Sequence, residues 1–339
     1  MSTDDVRDAV NDVIANLRHR PRRLRKSATT RSLLRRHGVT ADDLIVPVFV
    51  TDGASQEVSS MPGVWRRTVI EAADHLDELA KHGAKAYLAF GVVDTRLKDA
   101  EGSVALHGDN IVCQLVRETK RRGNPMIAMT DLCFCEYTDH GHCGPVLGGQ
   151  VDNDATLHGL ALQAVSHAEA GADWIAPSGC MDGMVAAIRA GLDAAGHKST
   201  AILSYAVKYA GAFYGPFRDA ADSTPGHGDR KSYQMDPARG VDEAVAEALE
   251  DVAQGADLVM VKPGGPYLDV IAAVRASVDV PVVAYQTSAE YAMHKAGGAA
   301  GWVDETGVRD ESLLALKRAG ADLIITYHAD TLLTPRSSA

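Results

Sequence analysis

Apolar residues fall along this chain in short dense runs separated by amphipathic stretches, and the alternation recurs eight times. The runs are Leu44–Val50, Ala86–Phe90, Met126–Asp131, Trp174–Pro177, Ala201–Val207, Leu258–Lys262, Pro281–Tyr285 and Leu323–Tyr327. They are apolar at consecutive positions, as strands buried on both faces of a parallel sheet must be. Between them, Val69–Lys81, Ala155–Ala170, Val241–Gln254 and Ser312–Ala319 carry apolar residues at helical spacing. A short phrase marks the junctions: Ala170-Gly171-Ala172-Asp173, Gln254-Gly255-Ala256-Asp257, Ala319-Gly320-Ala321-Asp322, and more loosely His82-Gly83-Ala84-Lys85. Its glycine sits where a helix ends in a left-handed residue before the chain turns into a strand. Four copies of one junction predict a repeated βα unit. Eight such units predict an α/β fold, the (β/α)₈ TIM barrel, over residues 39–339, with residues 1–38 as an N-terminal extension arm. A dinucleotide-binding sheet is disfavoured because no G-x-G-x-x-G follows a strand.

Two loops are too long to be simple connections, residues 132–154 after the third run and 208–240 after the fifth. Long loops in a compact domain are functional or disordered, and these two emerge on the C-terminal face, where barrels keep their active sites.

Composition narrows the class. The chain has 339 residues, 46% of them hydrophobic, with a net charge of −11 and five cysteines. No apolar run approaches the roughly 18 residues of a membrane span, the acidic start has no signal-peptide core, and an odd, sparse set of cysteines fits reduced thiols in a cytoplasm. The acidic balance argues against a nucleic-acid partner. Charge is unevenly placed, however. From Arg18 to Arg36 there are nine Lys or Arg and no acid. A basic arm with no interleaved aromatic has no residues for base stacking, so it is expected to pack on an acidic neighbouring subunit.

Lys208 and Lys262 end the fifth and sixth runs. One lysine at a strand exit could equally snorkel to solvent, but two on successive strands point to chemistry. At pH 7 only about one lysine in 2,500 is neutral. A second ammonium ~6 Å away, at an effective dielectric near 20, costs about 3 kcal/mol, or roughly two pKa units, and burial adds to this. Amines of that kind attack ketones to give Schiff bases.

The loop after the third run places Cys133, Cys135 and Cys143 in a C-x-C-x₇-C spacing. Three thiolates leave a fourth tetrahedral position open, as a catalytic zinc site does. His140 or His142 could instead close it. Cys113 reads as core and Cys180 has no cysteine partner in sequence. In the second long loop Arg218 and Arg230 are suited to clamp a carboxylate, under a lid rich in Gly, Pro and aromatics. Asp131, Ser178, Tyr285, Ser288 and Tyr327 are further polar groups at strand ends.

With these residues assembled, the chain from about Arg20 to Leu333 resembles the porphobilinogen synthase family, also called 5-aminolevulinate dehydratase. The resemblance rests on Lys208-Tyr209-Ala210-Gly211-Ala212-Phe213-Tyr214-Gly215-Pro216-Phe217-Arg218-Asp219-Ala220, on Met260-Val261-Lys262-Pro263-Gly264-Gly265-Pro266-Tyr267-Leu268-Asp269, and on the cysteine loop with His140-Gly141-His142-Cys143-Gly144. It implies a cytoplasmic lyase that condenses two molecules of 5-aminolevulinate, losing two waters, to porphobilinogen for tetrapyrrole synthesis. It implies Schiff bases of the first substrate on Lys262 and of the second on Lys208. Ser288 and Tyr327 would hold the first carboxylate, with Asp131 and Ser178 near the amino group. Arg218, Arg230 and Gln234 would hold the second, and catalytic Zn²⁺ would sit on the three cysteines. The arm resembles one that wraps a neighbour in a homo-octamer. Glu247 matches a position where many members bind an allosteric Mg²⁺, against which a solvated helix glutamate is the plain alternative.

Two other readings compete. A class I aldolase predicts one essential lysine, a phosphate-binding loop late in the barrel and no metal, and would leave the cysteines without a role. A zinc-stabilised binding protein predicts a closed metal site and ordinary lysines.

Overall fold

The computed structural model describes residues 2–334, which divide between two compact units, Met1–Gly38 and Val39–Ala339. The first is a helix Thr3–Asn16, a 3₁₀ turn Pro21–Arg25 and a short helix Ala28–Leu33. Ser2 and Asp5 cap the first helix reciprocally: each side chain accepts the other residue's backbone N–H.

The second unit is a (β/α)₈ barrel. Its strands are β1 Leu44–Thr51, β2 Ala86–Val92, β3 Ile127–Leu132, β4 Trp174–Pro177, β5 Ala201–Lys208, β6 Leu258–Lys262, β7 Val282–Gln286 and β8 Leu323–Thr326. All neighbours are parallel, and the cylinder closes where Leu44 and Ile45 pair with Ile324 and Ile325. All eight apolar runs are strands, within one or two residues of their expected ends. The helices at Val69–Lys81 and Val241–Gln254 have the expected bounds, whereas Asn153–Glu169 and Glu305–Ala319 begin earlier, the latter by seven residues. Glu305 to Glu311 is mostly polar, so its helical period was hidden. A hairpin pairing Gln56–Glu57 with Trp65–Arg67 follows β1, and another pairs Val146–Leu147 with Gln150–Val151 in the cysteine loop.

The repeated junction has a physical reason for each residue. Gly83, Gly171, Gly255 and Gly320 all have positive φ, from 93° to 118°, which only glycine adopts without strain. The aspartates two residues on tie strands together. Asp173 accepts the backbone N–H of Ala128 at 2.7 Å, Asp257 that of Ile202 at 2.8 Å, and Asp322 that of Val282 at 2.8 Å. Each satisfies the free donor at the start of the preceding strand, at the end of the barrel away from the lysines.

Side chains alternate about the barrel wall. Phe49, Leu88, Phe90, Met129, Leu203, Met260 and Val283 fill the interior, while Val46, Ala89, Ile202, Val259 and Val261 pack outward against the helices. That alternation carries Asp131, Ser178, Lys262, Tyr285 and Tyr327 into the mouth in phase with the apolar residues below them. β5 is the exception. Leu203 and Tyr205 face inward, then Ala206 and Val207 both face outward, because the register with β6 slips by one residue there. Strict alternation would have aimed Val207 into the mouth and Lys208 at the helices; the bulge reverses this.

Candidate active site

The slip leaves Lys208 and Lys262 paired with each other across β5 and β6, 6% and 3% exposed. Lys262 Nζ stands over four rings: Tyr285 at 4.0 Å, Phe217 at 4.9 Å, Tyr205 at 5.0 Å and Tyr214 at 5.8 Å. No hydrogen bond or ion pair to that nitrogen is made among the described residues. Burial, and then the Lys208 charge, bring its pKa down to about 7. The rings favour the ammonium by about 0.5–2 kcal/mol each, which moderates the effect of burial without reversing it. Lys262 is therefore a substantially neutral amine at physiological pH.

Lys208 Nζ donates to the Ser178 carbonyl at 2.5 Å and lies 5.5 Å from the Tyr205 ring. Burial lowers its pKa, but the neighbouring cysteines, Cys180, Cys143 and Cys133, raise it by more, so the net direction is upward. That pull depends on thiolate charge. A cation bound by the clustered sulfurs would weaken the part that comes from Cys143 and Cys133.

Cys133, Cys135 and Cys143 converge with their sulfurs within 4.8 Å of one another, all buried. Cys143 is held well below the ordinary thiol range by hydrogen bonds from Cys133 and then Cys135, whose own values are pushed up. One sulfur thus becomes a thiolate before the others, and three buried soft donors at this separation fit a thiophilic cation. Neither histidine completes the set. His140 Nε2 bonds the Ala100 carbonyl and its Nδ1 accepts the His142 N–H; His142 Nδ1 meets the Tyr233 hydroxyl and Nε2 the His227 carbonyl. Cys113 is packed against Ser166 in the core, as expected, and burial pushes its thiol up.

Around these groups many buried polar atoms have no partner among the described residues: Asp131 Oδ1, Glu136 Oε1, Tyr205 Oη, Arg218 Nε, Arg230 Nε and Gln234 Nε2. Each unsatisfied group costs on the order of 1–3 kcal/mol, so together they outline where a polar ligand belongs. Arg230 is buried and also donates to the Gly141 and Ser223 carbonyls at 2.9 and 2.8 Å, tying the two long loops together. Arg218 sits on a short lid helix, Gly215–Ala221. Asp131 accepts from Ser178 Oγ at 3.2 Å, and burial, then the Glu136 charge, push its carboxyl up to about 7.

On the other side of Lys262, Ser288 Oγ accepts the Phe217 N–H at 2.9 Å and the Tyr285 and Tyr327 hydroxyls meet at 3.0 Å. Tyr327 stacks on Phe49 at 6.1 Å, and Phe217 lies 5.7 Å from Phe49. Ser178 through its carbonyl and Tyr285 through its ring thus stand against the two lysines, and Gln234 shares a cavity wall with Lys208. Glu247 opens onto the same side. It is exposed on the helix Val241–Gln254, in a cavity of about 430 Å³ whose lining also includes Lys208, Tyr205 and Gln234. Asp182, Glu243 and Asp251 stand in the same wall, and partial burial, then Asp251, raise the Glu247 carboxyl above its ordinary value.

Three groups were not singled out from the sequence. Tyr205 lies beneath both amines, Phe217 and Tyr214 wall in Lys262, and Glu136 is a buried acid whose Oε2 accepts from Cys135 at 3.2 Å. Glu136 could have been noticed as an acid between the clustered cysteines. Tyr205 could not, because its place relative to Lys208 depends on the bulge.

A family model described as delta-aminolevulinic acid dehydratase matches residues 18–334. Curated proteins of that name match over most of their length. The one from Halalkalibacterium halodurans is 51% identical over 91% of this chain and 94% of its own. That from Escherichia coli is 48% identical over 93% of this chain and 97% of its own. Among solved structures, delta-aminolevulinic acid dehydratase (porphobilinogen synthase) from Toxoplasma gondii, in complex with the reaction product porphobilinogen, superposes with a TM-score of 0.92. It is 41% identical, over 94% of this chain and 91% of that one.

Proposed function

Because the chain belongs to the delta-aminolevulinic acid dehydratase family, we propose that Lys262 and Lys208 divide between them the two substrates of one condensation. The enzyme is a lyase that joins two molecules of 5-aminolevulinate into porphobilinogen with loss of two waters, in tetrapyrrole synthesis. The observation that carries the division of labour is the register pairing of two buried lysines of unlike titration. Lys262, whose pKa is brought down to about 7 so that a large share of it is the free amine, takes the first substrate. Its amine attacks the ketone carbon, and the carbonyl oxygen leaves as water when the imine forms. Asp131, with a carboxyl near pH 7, is suited to protonate that oxygen. Ser288 and Tyr327, backed by Tyr285, hold the first carboxylate, and Ser178 and Asp131 face its amino group.

Lys208 takes the second substrate, whose carboxylate meets Arg218, Arg230 and Gln234. Their unpartnered donors favour this assignment. Cys133, Cys135 and Cys143 would hold Zn²⁺, which when bound supplies a Lewis acid at the second substrate. A lid anchored by Arg230 that closes over the substrates would keep both imines from premature hydrolysis.

The remaining assignments extend the same reading. Glu247 belongs to an acidic wall suited to an allosteric Mg²⁺. Residues 1–38 form an arm on a neighbouring subunit of a homo-octamer, and the enzyme works in the cytoplasm with no membrane or nucleic-acid partner. Among the described residues no helix is long and apolar enough to cross a membrane. Incubation with 5-aminolevulinate followed by borohydride tests the chemistry. Mass mapping is expected to find the reduced adduct on Lys262 or Lys208, and its absence from both overturns the proposal.

A further inference from the structure

Ser288 and Tyr327, assigned together to the first substrate's carboxylate, come from different units of the barrel. Ser288 opens the helix Ser288–Ala299 after β7, and Tyr327 directly follows β8. Two hydroxyls can hold one carboxylate only if their spacing is fixed, so what joins the two segments matters.

A polar pair that the proposed chemistry does not use joins them. His328, the residue after Tyr327, is fully buried, and its Nε2 meets Nδ1 of His294, on the Ser288 helix, at 3.2 Å. The two rings are inclined by only 18° with centroids 5.4 Å apart, so they meet edge to edge, in line with the bond. His294 Nε2 extends the chain to Ser312 Oγ at 3.3 Å, on the helix Glu305–Ala319. The backbone of His328 is tied as well. Its N–H donates to Thr326 Oγ1 at 3.1 Å, and that hydroxyl donates to Gln286 Oε1, at the end of β7, at 2.6 Å. The His328 ring also lies 4.5 Å from that of Tyr291, which stands edge-on to Tyr327 at 5.9 Å.

A bond between two imidazole nitrogens needs one N–H and one lone pair, so it is lost if both rings are charged. Burial, then the His294, Lys295 and Arg309 charges, bring His328 down to about 3, and burial lowers His294. Both rings are therefore neutral at physiological pH. His328 Nδ1 is buried without a partner among the described residues, so the contact with His294 is the one hydrogen bond that ring makes. Removing it leaves a fully buried imidazole with none.

We propose that His294 and His328 are a positioning pair, whose hydrogen bond clamps the Ser288 helix to the Tyr327 turn and so sets the spacing of the two hydroxyls that select the first carboxylate. The proposal rests on the assignment of Ser288 and Tyr327 to that carboxylate.

The test traps the full-length protein with borohydride over a range of concentrations of 5-aminolevulinate, and separately of the corresponding carboxamide. The adduct on Lys262 then gives a half-saturating concentration and a limiting rate for each. In His294→Leu the half-saturating concentration of 5-aminolevulinate should rise about five- to tenfold, with the limiting rate within about twofold. The preference for carboxylate over carboxamide should shrink by a similar factor, which a general loss of packing would not produce. His294→Gln keeps a donor and an acceptor at that place and should stay near the unmodified protein. His328→Phe should act in the same direction as His294→Leu, and serves if the latter does not fold. Combining the two should cost less than the product of the single effects, because both remove one bond; full multiplication shows uncoupled residues and overturns the pair. Unchanged values in both histidine variants, beside a rise in Ser288→Ala and Tyr327→Phe, overturn the pair alone. No change in Ser288→Ala and Tyr327→Phe overturns the carboxylate assignment, and the pair with it.

Discussion

Lys208 and Lys262 are register partners at the C-terminal ends of adjacent parallel strands, and both face the barrel mouth because β5 carries one extra residue between Ser204 and Val207. The pairing holds two cations side by side in a site with few solvating groups. The ring of Tyr205 lies 5.0 Å from one amine and 5.5 Å from the other. One lysine answers by losing its proton easily; the other keeps its proton by leaning on the Ser178 carbonyl and the cysteine charges.

Replacing either lysine separates the two imines. Lys262→Ala should abolish the borohydride adduct of the first substrate and lower turnover by about 10³-fold or more. Lys208→Ala should lower turnover comparably yet still yield a single-substrate adduct on Lys262, read by intact-mass spectrometry.

The pH dependence follows from the lowered pKa of Lys262. Only the neutral amine attacks, so the rate of adduct formation should rise with pH through about 7 and then level off. Lys208→Met removes a neighbouring positive charge, which makes the Lys262 ammonium easier to keep. Its pKa should go up and the rising limb should move to higher pH, by roughly one to two units. A limb that stays in place in stopped, pH-stepped trapping contradicts electrostatic coupling between the two amines.

Metal dependence should part from imine formation. Cys135→Ser is expected to weaken zinc binding by at least about 100-fold, measured by metal content after dialysis. A chelator should stop turnover in the unmodified protein while leaving the Lys262 adduct intact, if the sulfur cluster serves the second substrate as proposed. Full activity with metal content near zero would reject a catalytic cation.

The arginines should differ from each other. Arg218→Ala is expected to remove one charge-assisted contact, about 1.5–3 kcal/mol, and so to raise KM by roughly 10- to 150-fold with little change in thermal stability. Arg230→Ala also frees the Gly141 and Ser223 carbonyls that join the two loops, so its melting temperature should fall as well. Calorimetry beside steady-state kinetics distinguishes the two.

Much of this protein was legible in its residues. The eight strands could be read because a barrel strand is buried on both faces and so is apolar without interruption. The helix-to-strand junctions could be read because only glycine takes the left-handed turn that Gly83, Gly171, Gly255 and Gly320 adopt. The paired lysines, the cysteine triplet and the lid arginines were visible as rare residue types at strand exits and in overlong loops. Their reference chemistry travels with the side chain. What sequence order could not supply was the direction in which those side chains point. Asp131, Lys262, Tyr285 and Tyr327 obey the two-residue period of their strands, but Lys208 does not, and a one-residue bulge leaves no mark in composition. The aromatic cage of Lys262, the third-party role of Tyr205, the occupation of both histidines by other partners and the depressed pKa of one amine all depend on groups far apart in the chain. Those are set by burial and by the distance between charges, which exist only once the barrel has closed.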